Sequence, residues 1–82
     1  MEFTLAGRKV DLDPATITDR MRGVEPEIVR THAVEIDGKR YPVKQVLSAI
    51  TGIPKADFNS HQARHILRRI GLEVSTGDET TN

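Results

Sequence analysis

The feature that most constrains this chain is the stretch from Asp57 to Gly71, because it is punctuated as a helix at both ends. Asn59 or Ser60 can accept hydrogen bonds from the unpaired N–H groups at its start, and Gly71 can take the left-handed conformation that ends it. Ala63, Ile66, Leu67 and Ile70 recur at i, i+3, i+4 and i+7 and define one buried stripe. At about 100° per residue, His61, His65 and Arg68 point away from that stripe, flanked by Gln62, Arg64 and Arg69. A segment of this kind must lay its apolar stripe on a core and leave a crowded basic face outside.

The 82 residues are enough for one domain with a modest core and too few for a large enclosed active site. The absence of Cys removes disulfides and thiolate metal sites. No apolar run approaches membrane-spanning length and the first residues lack a signal-peptide pattern, so the expected location is the cytoplasm, at the nucleoid if DNA-bound. Twelve basic and twelve acidic side chains cancel, which excludes a generic polycation. The charges are nevertheless segregated. Residues 38–70 hold Lys39, Arg40, Lys44, Lys55, Arg64, Arg68 and Arg69 against Asp57 alone, whereas the segments on either side are acidic. Local field, not total charge, attracts a polyanion. A solvated surface explains the number of charges but not their segregation.

Residues 3–12 alternate around Ala6-Gly7 and predict a small hairpin or an extended arm. Asp13-Pro14 starts a short helix that runs to about Arg22 and ends at Gly23. Val34 and Ile36, then Asp37-Gly38, then Lys39-Arg40-Tyr41 give the strongest β signal, because a type I′ turn needs positive φ at both central positions. A helix over Pro42–Thr51 follows, closed by Gly52, with Val43, Val46, Leu47 and Ile50 as its stripe. Phe58 stands where it can act as a hydrophobic staple or core plug for the last helix. Leu72-Glu73-Val74 reads as a short strand or extended segment. The segments around Gly7 and Gly38 look faintly alike, which is too little to define a repeat. The expected fold is α+β: a small single domain, a β-hairpin packed on a helix-turn-helix-like pair, with an additional short N-terminal helix. The domain is expected over 1–74, with its core at 24–74 and a disordered polar tail at 75–82.

The hairpin, two helices and their linker make the main constellation. The linker is longer than the usual three or four residues of a helix-turn-helix. Arg64, Arg68 and Arg69 suit phosphates or bidentate contact with guanine edges. Gln62 suits adenine or a phosphate, and Asn59 and Ser60 stand at a helix N-terminus, where free N–H groups bind phosphate. Lys39 and Arg40 at the hairpin turn are placed to act as a wing, with Lys44 and Lys55 extending the basic surface. Each residue taken singly is more often a solvated charge, so the case rests on the cluster. His61 and His65 have metal-compatible i, i+4 spacing, but Gln62 stands where HExxH needs Glu and no third ligand is evident, so no metal site is expected. Their partial protonation near phosphates would strengthen binding at lower pH. No nucleophile, nuclease or phosphate-loop motif is present, so neither enzyme activity nor a cofactor is expected.

The blocks Val34-Glu-Ile-Asp-Gly-Lys-Arg-Tyr-Pro-Val-Lys-Gln-Val-Leu47 and Ala56-Asp-Phe-Asn-Ser-His-Gln-Ala-Arg-His-Ile-Leu-Arg-Arg-Ile-Gly-Leu72 resemble a small actinobacterial module. It is the N-terminal head domain of methylation-dependent (type IV) HNH restriction endonucleases, shared with related small proteins that bind 5-methylcytosine DNA. The resemblance covers about residues 24–74. It implies binding of duplex DNA, with 5-methylcytosine as the candidate modification, and nuclease chemistry in a separate domain. This sequence has no HNH motif, so cleavage is not implied. The expected function is therefore a non-catalytic DNA-binding module. A protein-interaction module that docks an acidic partner through the same helix is the alternative, and an enzyme with a metal at the paired histidines is the third reading.

Overall fold

The computed structural model describes residues 1–29 and 32–76. The chain opens with a hairpin, β1 (Glu2–Leu5) and β2 (Arg8–Asp11), turned by Ala6 and Gly7 at φ 54° and 77°. Of the two readings for residues 3–12, the hairpin is therefore the one observed. Helix α1 (Pro14–Met21) follows. The Asp13 side chain caps it by accepting from the Thr16 N–H at 2.9 Å, with Pro14 in the first turn. These hydrogen bonds, from the Thr16 amide first and its hydroxyl second, hold the Asp13 carboxyl below its ordinary pKa. The helix ends one residue earlier than its sequence suggests. Arg22 is extended, Gly23 has φ +84°, and the Val24 N–H bonds to the Met21 carbonyl at 3.0 Å. That geometry is a type II turn, which requires positive φ at its third residue and so selects Gly23.

Strands β3 (His32–Ile36) and β4 (Lys39–Pro42) form the second hairpin. Asp37 and Gly38 turn it at φ 54° and 82°, the positive pair of a type I′ turn. Helix α2 (Val43–Thr51) begins directly after Pro42 and ends at Gly52, φ +80°. A single 3₁₀ turn (Lys55–Asp57) occupies the linker to α3 (Ser60–Ile70). The chain then returns as β5 (Glu73–Thr76), antiparallel to β3, so the sheet order is β4-β3-β5. Ser75 and Thr76 thus belong to a strand, and the expected disordered tail does not begin at 75. Pairing with the central strand satisfies backbone groups that a polar sequence alone would leave to water. Residues 77–82 of that expected tail lie outside the described residues.

Strand periodicity gives the sheet two different faces. Val34 lies opposite Tyr41 and Val74, and this face meets the helices. Glu35 lies opposite Arg40 and Glu73, all exposed on the other face. The stripes Val43, Val46, Leu47, Ile50 and Ala63, Ile66, Leu67, Ile70 join Val34, Ile36 and Tyr41 in one core with Leu5, Leu12, Ile17 and Met21. The architecture is the α+β domain expected from the sequence, with a helix-turn-helix-like pair and a short N-terminal helix on a hairpin widened by β5.

Two buried polar side chains fix the connection between α1 and β3. The Tyr41 hydroxyl donates to the Val24 carbonyl at 3.0 Å, with the Met21 carbonyl at 3.4 Å. The Gln45 amide donates to the Glu25 carbonyl at 2.8 Å and accepts from the Glu27 N–H at 2.9 Å. Gln45 thereby supplies both a donor and an acceptor to backbone that no strand covers.

Replacing Tyr41→Phe should destabilise the protein by about 1–2 kcal/mol, because the Val24 carbonyl loses its donor. Ala6 occupies a left-handed conformation that costs an ordinary L-residue about 1–2 kcal/mol and costs Asn less. Ala6→Asn is therefore expected to raise stability by up to about 1 kcal/mol. Urea unfolding of each variant against the parent checks both expectations.

Candidate nucleic-acid interface

Helix α3 is positioned by a complete capping box. Asn59 accepts from the Gln62 N–H at 2.8 Å, and the Gln62 side chain accepts from the Asn59 N–H at 3.1 Å. Phe58, buried just before the cap, and Ala63 occupy the two positions of a hydrophobic staple. At the other end Gly71, φ +109°, directs its N–H back to the Leu67 and Arg68 carbonyls. With both ends fixed and the stripe buried, the opposite face has one possible direction.

That face gathers His61, Arg64, His65, Arg68 and Arg69 along a surface groove of about 300 Å³. Arg64 is half-buried and the other four are exposed. Among the described residues, Arg64, Arg68 and Arg69 form no ion pair. Arg68 and Arg69 in the last turn also oppose the negative end of the helix dipole. That local benefit does not account for Arg64 or the histidines nearer the start. A second groove, about 310 Å³, runs beside the first and is lined by Thr4 of β1 with His61, Gln62, His65 and Ile66.

The other basic residues singled out in the sequence do not all join this face. Arg40 stands opposite Glu35 on the far side of the sheet and reaches the Ser75 hydroxyl at 3.4 Å. Lys39 lies beside the end of α1, near Arg22 and Gly23. The hairpin turn is therefore not a wing alongside α3, because the strand register sends its two basic side chains to places set by α1 and by the outer face. Lys44, Lys55 and Ser60 line a separate cavity. Lys55 is paired with Glu27 at 2.8 Å, and the Lys44 ammonium stands 5.9 Å from the centre of the Phe58 ring. Asn59 spends its side chain on the cap, whereas Gln62 keeps its amide N–H groups available.

His32 is the addition that sequence reasoning did not make. It opens β3, its ring is half-buried, and its Nδ1 is enclosed with no hydrogen-bond partner among the described residues. Burial lowers its pKa, and the positive charges of Arg64 and His61 lower it further. Nothing in the local sequence around residue 32 signals this, because the neighbouring charges come from α3. Among the described residues no group of three or more His, Cys, Asp or Glu could hold a metal ion, so His61 and His65 remain a pair. Among the described residues, no helix is long and apolar enough to cross a membrane.

Fold and surface together define a small α+β domain that presents one helix face of arginine and histidine. The chain belongs to the SCO5918-like family, whose sequence model matches residues 1–82. Comparison with curated proteins and with solved structures finds no match.

A His pKa lowered by folding makes the unfolded chain the better proton acceptor below about pH 6.5. The stability that depends on neutral His32 is thus present above that value and is lost as pH falls towards the folded-state pKa. Urea midpoints should drop between pH 7.5 and 5.5, and His32→Gln should flatten that drop.

Proposed function

We propose that this domain binds duplex DNA through the exposed face of α3 and has no catalytic activity of its own. The observation that carries the reading is the groove of His61, Arg64, His65, Arg68 and Arg69, in which the three guanidiniums have no carboxylate partner among the described residues. Guanidinium groups present planar, bidentate donors that match phosphate oxygens and guanine edges. In water their mutual repulsion is weak and screened, but together they set up a local positive field that a polyanion completes. Gln62, at the edge of the same face, has amide donors left for a base or a phosphate.

The resemblance of residues 34–47 and 56–72 to the head domain of methylation-dependent restriction endonucleases supports DNA as the anion and 5-methylcytosine as the preferred modification. A 5-methyl group in the major groove is sensed by apolar contact, as the thymine methyl is. A cytoplasmic, nucleoid-associated place follows from that ligand.

Fluorescence anisotropy with methylated and unmethylated duplexes tests the proposal. Binding is expected at low salt, tighter to the methylated duplex, with log K falling linearly against log salt. Arg64→Ala combined with Arg68→Ala should reduce the steepness of that line by about two if both contact phosphates. Absence of binding to either duplex at about tens of micromolar protein, the range of ordinary non-specific binding, overturns it. Retained affinity and slope in the double variant move the interface off α3.

A further inference from the structure

Two rows run side by side along the exposed part of α3, and they differ in chemistry. His61 and His65, one turn apart, stand with Arg64, Arg68 and Arg69 in the cationic groove. Gln62 and Ile66, also one turn apart, line the second groove of about 310 Å³ with Thr4 of β1. The two grooves share His61 and His65, which form the ridge between them. Among the described residues, no lysine, arginine or carboxylate lines the second groove. Phosphate oxygens are drawn to the guanidiniums, which leaves the neighbouring groove, with its amide, hydroxyl and apolar edge, to the base edges beside the backbone.

Gln62 does not present an ordinary glutamine to that groove. Its Oε1 accepts from the Asn59 N–H at 3.1 Å, while its own backbone N–H donates to the Asn59 Oδ1 at 2.8 Å. The capping box therefore occupies the carbonyl of the side chain and leaves the two amide N–H groups as donors. A free glutamine reads adenine bidentately, accepting from N6 and donating to N7. With Oε1 engaged, that pairing is closed to Gln62, and the adenine N6 amino group would meet a donor with a donor. In the major groove guanine offers two adjacent acceptors, N7 and O6, whereas thymine offers one and cytosine offers a donor.

We infer that the groove of Thr4, Gln62 and Ile66 reads a base edge in the major groove, and that Gln62, held as a donor by its cap, determines a preference for guanine there. The inference rests on the DNA-binding reading and divides its footprint, with the backbone on the arginine row and a base on Gln62. It also brings the first hairpin into the interface, because Thr4 lines the groove from β1. The same hydrogen bond that starts α3 thus sets what α3 can recognise.

Bound duplexes are selected from a randomised library with the full-length parent and with Gln62→Glu. Glutamate keeps the capping box, because its carboxylate accepts from the same N–H, but it presents acceptors in place of the amide donors. An unchanged circular dichroism spectrum establishes that the variant is folded. The parent is expected to enrich guanine at one position of its site, where other bases bind about five- to a hundredfold more weakly. Gln62→Glu should lose that enrichment and keep the preferences at other positions. Its added negative charge weakens all duplexes alike and cancels in the comparison between sequences. For the parent, 7-deazaguanine at that position, which lacks the N7 acceptor, should weaken binding about fivefold. Equal guanine enrichment in the two proteins, or no enriched guanine in a parent that binds duplexes, overturns the inference and leaves the DNA-binding reading standing. A parent that binds no duplex removes both.

Discussion

The fold depends on one apolar seam, where the stripes of α2 and α3 close over the inner face of β3. Val46, Leu47, Ala63 and Leu67 are fully enclosed there, against Val34 and Tyr41. The described residues form one core, with no second one among them to compensate for a defect, so a large-to-alanine change in this seam costs about 2–5 kcal/mol of a small total stability. The seam also decides the surface. A helix with a 3.6-residue period that buries Ala63, Ile66, Leu67 and Ile70 must expose His61, His65 and Arg68. The basic face is the geometric complement of the core and cannot be rotated inwards without dismantling it.

The two hairpins solve the same local problem with related sequences. Ala6-Gly7 and Asp37-Gly38 both turn through two positive φ values, and each hairpin leads to a helix that starts at or just after a proline. The faint likeness around Gly7 and Gly38 therefore has a physical counterpart in the turn. Their packing differs. The first hairpin is a separate two-stranded sheet, whereas the second gains β5 and becomes the floor beneath α2 and α3.

Charge segregation along the chain translates only partly into segregation in space. The excess of basic residues over 38–70 overstates the patch on α3, because Arg40 faces Glu35 and Glu73 across the sheet and Lys55 is held by Glu27. What remains on α3 is fewer charges, more closely grouped. At physiological salt, where screening acts over about 8 Å, that grouping matters more than the zero net charge of the whole.

The sequence by itself determined the local elements: the capped and glycine-terminated last helix, the Asp37-Gly38 hairpin, the stripe of α2 and the face that α3 exposes. Each depends on residues within a few positions of one another, through hydrogen-bonding reach, positive φ or helical period. Tertiary structure alone decided the rest. The order β4-β3-β5, which takes Ser75 and Thr76 into a strand, depends on pairing between residues some forty positions apart. The clamps made by Tyr41 and Gln45 on the α1–β3 connection have no local signature, because their partners are backbone groups about twenty residues away. The departure of Lys39 and Arg40 from the α3 face follows from strand register. The enclosure of His32 beside Arg64 and His61 arises because packing, not chain proximity, sets which charges a buried ring meets.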